Sequence, residues 1–122
     1  MYYDRPITKV TDIGSLEELA SDEPYPGVTR RTLDSERATV TAYAFAPRAR
    51  FPLHRHPQEQ ITIVQSGDVE MTIGDRVHAL GAGAFTIVAP DVEHAVAAGP
   101  SGAEFLALIV PRRANPDAYT RS

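Results

Sequence analysis

From Val28 onward, apolar and polar residues alternate with the two-residue period of half-buried strands. Strands are predicted over Val28–Leu33, Ala38–Phe45, Glu59–Ser66, Val69–Gly74, Arg76–Leu80, Ala84–Val88, His94–Ala98 and Ala103–Val110. Ser66-Gly67-Asp68, Gly74-Asp75, Gly81-Ala82-Gly83 and Gly99-Pro100-Ser101-Gly102 punctuate them, and the first two read as tight hairpin turns. Many short strands at close spacing predict an all-β sandwich or small barrel. Residues 1–27 form a less regular arm. Within it Thr11–Ala20 holds one short helix candidate, with Ser15 as N-cap and Glu18 at the capping-box position, and residues 22–27 read as a break. The expected organisation is an arm over 1–27, a barrel over 28–110 and a polar tail over 111–122, with Pro116 and one closing helical turn.

The same period places chemistry. In His54-Arg55-His56-Pro57-Gln58-Glu59-Gln60, residues His54, His56 and Gln60 share parity, so an extended chain projects them to one face. His94 lies downstream in Val92-Glu93-His94-Ala95-Val96. Together they offer three imidazole nitrogens and one amide oxygen to a divalent metal, leaving positions open for water or substrate. Glu59 is the rival to Gln60 and the better ligand chemically. Its parity points away from the pocket unless Pro57 shifts the register. His78 fits no ligand pattern and reads as an exposed strand residue.

These residues resemble the two motifs of the cupin superfamily. The first motif is His-x-His, three or four residues, Glu, six residues, Gly; here it is matched by His54, His56, Gln60 in the Glu position, and Gly67. The second resembles Gly83 through His94, with Ala89 in place of the usual proline, Asp91 in place of the turn glycine and Ala98 in place of the later Asn. The likeness covers roughly Val28 to Val110. It implies a double-stranded β-helix, or jelly-roll, barrel with a short N-terminal arm. Small single-domain cupins reading His-x-His-Pro-x-Glu-Gln use the Gln as ligand, among them the group that linearises unsaturated uronic sugars. That group relies on an Asp-x-Phe in its last strand, where this chain has Ala107 and Ile109. The resemblance thus extends to the scaffold and stops short of that catalytic pair.

Composition removes alternatives. With 122 residues there is room for one core, and with no cysteine any metal falls to His, Gln, Asp or Glu. A net charge of −4 supplies no basic field for nucleic acid. No apolar run reaches the roughly 20 residues that span a bilayer. Met1-Tyr2-Tyr3-Asp4-Arg5-Pro6 lacks a signal-peptide pattern, so a cytoplasmic protein is expected.

One divalent ion per chain is the expected cofactor: Zn or Ni in purified protein, with Fe, Mn, Co and Cu left open. A neutral Gln leaves the charge of M²⁺ at two, which favours Lewis-acid polarisation of a carbonyl or enol over oxidation. The leading expectation is a non-redox enzyme (isomerase, ring-opening enzyme, cyclase or lyase) acting on a small oxygenated substrate. An iron dioxygenase and a non-catalytic small-molecule binder are the alternatives. Tyr43 and Glu93 are candidate proton-transfer groups. Tyr43, Phe51, Met71, Phe85, Val96 and Leu106 are candidate pocket residues. Arg30, Arg31, Arg48, Arg50 and Arg113 are candidates for an anionic substrate. If Gln60, Thr62 and Val64 face inward, Ile61 and Ile63 face outward and need cover, so a homodimer is expected.

Overall fold

A computed structural model describes residues 13–113 and 120–121. The remaining positions, including Thr11 and Asp12 of the helix candidate and the turn around Pro116, lie outside the described residues. One 3₁₀ turn, Leu16–Glu18, stands at the place of the expected helix, with the Ser15 hydroxyl accepting from the Glu17 N–H at 3.3 Å. The strands are β1 (Ser21–Tyr25), β2 (Val28–Asp34), β3 (Thr39–Phe45), β4 (Arg50–Arg55), β5 (Glu59–Ile73), β6 (Arg76–Leu80), β7 (Phe85–Val88), β8 (His94–Val110) and β9 (Thr120–Arg121). All strand pairs are antiparallel. Among the described residues no helix is long and apolar enough to cross a membrane.

The frame is the pairing of β5 with β8, which runs from Glu59↔Val110 to Ile73↔His94. Both strands bend midway. The N-terminal half of β5 pairs with the C-terminal half of β8, flanked by β7 on one side and by β3, β2 and β1 on the other. Their opposite halves are flanked by β6 and by β4 and β9. The result is a jelly-roll barrel whose two halves share one core, built from Val28, Phe45, Val64, Val88 and Phe105 with Phe51, Val69, Met71 and Val96.

Three sequence expectations need correction. Ser66-Gly67-Asp68 does not make a hairpin; it is the bend of one continuous strand. Gly99–Gly102 likewise falls inside β8. The register shifts between Val64 and Ser66 and between Gly67 and Val69. Across that bulge the inward positions change from Gln60, Thr62 and Val64 to Val69 and Met71. In β8 they change from His94, Val96 and Ala98 to Ala103, Phe105, Ala107 and Ile109. Second, Asp22–Tyr25, expected as a break, forms most of β1; its proline lies on a sheet edge, where a missing N–H costs no ladder bond. Third, β4 has no counterpart among the predicted strands because Pro52 interrupts its pattern, and the ladder with β8 is irregular there, between Phe51 and His54. The Gly74-Asp75 hairpin is as expected, joining Ile73 to Arg76 with φ +60° at Gly74.

Gly67 and Gly102 explain the bend. Both have left-handed φ, +72° and +76°. A Cβ on Gly67 would meet the Gly102 carbonyl oxygen at 2.0 Å, whereas one on Gly74 would meet nothing within 4 Å. Gly74→Ala should therefore cost only the left-handed penalty, roughly 1–2 kcal/mol. Gly67→Ala adds a backbone clash and should exceed about 3 kcal/mol. Urea unfolding of the two variants checks the order; equal losses would show that the close approach is unimportant.

Candidate metal centre

Three histidines converge inside the barrel. His54, the last but one residue of β4, lies directly opposite His94 at the start of β8, with ring centroids 4.2 Å apart. His56 follows the strand and stands 4.9 Å from His94 and 5.9 Å from His54. The available nitrogens of the three lie within 4.8 Å of one another, and all three residues are buried. The two motifs are tied through the backbone, since the Asp91 N–H donates to the His56 carbonyl at 2.8 Å. Asp91 has φ 63° and Val92 N–H closes the turn on the Ala89 carbonyl, so the Asp standing at the expected glycine position adopts a glycine-like conformation.

Each imidazole is oriented by its own neighbourhood. Nδ1 of His54 lies 2.7 Å from the Pro52 carbonyl, that of His56 3.0 Å from the Gln58 carbonyl, and that of His94 2.9 Å from the Val92 carbonyl. A carbonyl only accepts, so each Nδ1 carries the proton and the neutral ring presents its lone pair at Nε2. Nε2 of His94 is buried without a hydrogen-bond partner. Nε2 of His56 lies 3.0 Å from Gln60 Oε1, while Gln60 Nε2 donates to the Thr62 hydroxyl at 2.9 Å. With both rings and amide assigned this way, acceptor faces acceptor across the His56–Gln60 contact.

The other sequence candidates separate clearly. Gln60 is buried and Glu59 is exposed, as parity requires. Tyr43, Phe51 and Val96 line a cavity of about 20 Å³ with Phe45, His54, Gln60, His94 and Phe105, enough for roughly one water-sized group. Met71 is fully buried in the core and Phe85 is 66% exposed, so neither lines that cavity. Leu106 faces outward and Phe105 takes the inner place, because the β8 bulge resets parity. Phe105 stacks on Tyr43 at 5.0 Å; sequence reading misses it for want of that reset. Ala107 and Ile109 face inward and bring no carboxylate. Glu93 is half-buried and outside the cavity lining. His78 is exposed on β6.

Among the arginines, Arg30 is buried and grips Asp22 through Nε at 3.0 Å and Nη2 at 3.0 Å. Burial opposes its charge, but the Asp22 and Tyr43 side chains hold its pKa above the ordinary value. Arg31 donates to the Glu17 and Leu19 carbonyls, and Arg48 and Arg50 are exposed. Arg113 is buried.

Burial, and then the neighbouring His94 charge, lowers the His54 pKa to about 3, against the opposing pull of the Pro52 carbonyl. Burial and then the His56 charge lower that of His94 to about 4, against the Val92 carbonyl. Both rings are therefore neutral and ready to ligate at neutral pH. Because the folded values lie below the unfolded 6.5, the unfolded chain binds more protons between about pH 6.5 and pH 3. The metal-free protein should lose stability as pH falls through that window. Thermal melting of wild type against His54→Gln checks this; an equally steep acid loss in the variant would assign the effect elsewhere.

Residues 42–110 match the Cupin domain family. No curated protein matches the chain. Among solved structures, an RmlC-like cupin from Shewanella frigidimarina aligns at TM-score 0.78 and 21% identity, covering 85% of this chain and 94% of that one. KdgF from Halomonas sp. aligns at 0.74 and 22%, covering 83% and 96%. An oxalate decarboxylase variant from Bacillus subtilis aligns at 0.83 and 19%; the alignment covers 93% of this chain but only 33% of that protein. At these identities the structures speak for the fold alone. The family match spans more than half of the sequence and joins a jelly-roll with a three-histidine cluster: the chain belongs to the cupin family.

Proposed function

We propose that this cupin holds one divalent metal through His54, His56, His94 and Gln60, and that it is a non-redox enzyme acting on a small oxygenated substrate. The observation that carries the reading is the 3.0 Å contact between His56 Nε2 and Gln60 Oε1. A cation serves two acceptors at that distance, as does the Gln60 amide when turned to donate its N–H to His56. A proton on His56 would serve that pair alone, whereas a metal also accounts for the buried lone pair of His94. When bound, such an ion supplies Lewis-acid polarisation of a carbonyl or enol oxygen. The chain's own residues do the rest. The three Nδ1–carbonyl bonds fix ring orientation before any ligand arrives. The Thr62 hydroxyl turns the Gln60 oxygen toward the site. Tyr43, Phe45, Phe51 and Phe105 wall the site with aromatic rings that exclude water. Isomerisation, ring opening, cyclisation and elimination all fit this set. The fold relatives include an oxalate decarboxylase with Mn(II) centres, which supports metal chemistry on this scaffold.

His94→Ala should lower zinc affinity by more than the roughly 10–100-fold that loss of an outer-shell partner costs, while a folded barrel remains. Gln60→Glu should tighten zinc, since the Thr62 hydroxyl can donate to the new carboxylate and packing is unchanged. Chelator competition and metal content measure both; unchanged zinc affinity in His94→Ala defeats the ligand assignment. Turnover on sugars, diketones and hydroxy acids without O₂ uptake supports the non-redox reading. O₂ uptake would replace it with a dioxygenase, and binding without turnover with a binding module.

The same reading includes a homodimer. Leu33, Val40, Leu108, Ile61 and Ile87 form an outward row across five paired strands, next to Ile63 and Phe85. Leu33, Ile63, Phe85 and Ile87 are 45%, 38%, 66% and 59% exposed, a continuous apolar face of the kind that marks an interface. Sedimentation at micromolar concentration should give twice the chain mass, and Ile63→Lys with Phe85→Lys should give a monomer. A monomeric wild type contradicts it.

A further inference from the structure

The half of the barrel built on β4, β6 and the histidine end of β8 carries an open trough on its outer face. Two adjoining cavities of about 610 and 530 Å³ share Glu70 there. The ladders set the cross-section. Arg50 pairs with Ala97 and Ala97 with Glu70, while Ala95 pairs with Thr72. One step further along, the Arg48 N–H donates to the Gly99 carbonyl at 3.1 Å, and a Cβ on Gly99 would stand 3.5 Å from the Asp68 Cβ. The floor is therefore Ala95, Ala97 and Gly99 of β8, all small. Arg48 and Arg50 rise on the β4 side, Asp68 and Glu70 on the β5 side, and all four are exposed.

The two banks do not neutralise each other. Among the described residues no ion pair joins them, because β4 and β5 flank β8 and stand roughly 10 Å apart. A single exposed charge is ordinarily solvated and says little. Here sign and spacing agree. Residues two apart on an extended chain are roughly 7 Å apart, and their side chains share one side. Each bank thus repeats its charge at the interval at which an extended segment repeats its side chains along one edge. Arg48 keeps its place with φ 62°, where glycine is the ordinary residue. The apolar face read as the homodimer contact lies on the other sheet, across β2, β3 and β7, so that assembly leaves the trough open.

We propose that this trough docks an extended segment of a partner protein in which acidic and basic residues alternate, the acidic ones facing Arg48 and Arg50 and the basic ones facing Asp68 and Glu70. The small floor residues let the backbone of the segment lie close against β8. Pro52 and Val77, both exposed, add apolar contact at one end. Each exposed ion pair contributes little, so recognition rests on four pairs in register, and the complex is weak and salt-sensitive. The proposal is independent of the metal reading.

A fluorescein-labelled decapeptide of alternating Glu and Lys is titrated with the full chain at low salt and followed by fluorescence anisotropy. A second decapeptide has the same composition in the repeating order Glu-Glu-Lys-Lys. The alternating peptide should bind roughly tenfold or more tighter. Ala97→Phe fills the floor without touching a charge and should lose at least about that factor. Arg48→Glu with Arg50→Glu should do the same. Adding Asp68→Lys with Glu70→Lys should restore binding, because an alternating peptide shifts by one residue to meet exchanged banks. Equal affinity for the two peptides overturns the proposal, as does no binding of the alternating peptide at millimolar protein. Wild-type affinity in Ala97→Phe also overturns it, as does failure of the exchanged banks to restore binding in a folded protein. If one of these variants is unfolded by circular dichroism, the others and the peptide comparison decide. Zinc uptake, which judges the metal reading, plays no part in these comparisons.

Discussion

The barrel hangs on one close contact between two backbones. Where β5 and β8 cross over from one half of the jelly-roll to the other, Gly67 approaches Gly102 so nearly that it tolerates no side chain, and one on Gly102 would meet the Phe45 carbonyl at 2.7 Å. Long antiparallel strands twist but do not fold on themselves without a break in register. Here both strands break at the same level. That shared bend lets one ladder serve two halves, and it brings His94 at the start of β8 across from His54 on β4. The glycine of the first sequence motif is therefore part of the geometry of the site although it lies far along the chain from the clustered histidines.

The site itself is assembled from short-range devices. Each imidazole is aimed by a carbonyl two residues away, and Gln60 by a hydroxyl two residues away. Local bonds of this kind form together with the strands and need no distant partner. The long-range element is the pair of turns that the Asp91–His56 hydrogen bond holds together. Burial does the remaining tuning by removing water from the His54 and His94 rings and lowering their pKa values.

Much of this is legible in the sequence because strand parity is rigid. His54, His56, Gln60 and His94 share the interior, Glu59 and Ile63 do not, and Gly74-Asp75 turns as its residues demand. What escapes has one physical origin. A bulge is a count of residues on two strands at once, and a single strand does not carry that count. Gly67 therefore resembles a hairpin turn, and Leu106 stands in the sequence pattern where Phe105 stands in the wall. Pro52 hides β4 for a related reason, since its strand pairs irregularly where the proline falls. Which of the five candidate arginines are buried is beyond sequence altogether: Arg30 and Arg113 are, and Arg48 and Arg50 are exposed.

The alternation of β8 has a consequence for how such a chain can change. Ala103, Phe105, Ala107 and Ile109 face the interior, while Leu106 and Leu108 belong to the apolar outer face. Two adjacent residues thus answer to different selective demands. An acidic residue introduced at Ala107 would enter beside Thr62 and Thr41 without disturbing Leu106 or Leu108. The inner and outer faces of the barrel are written on the same strand in interleaved positions, so one can be revised while the other is kept.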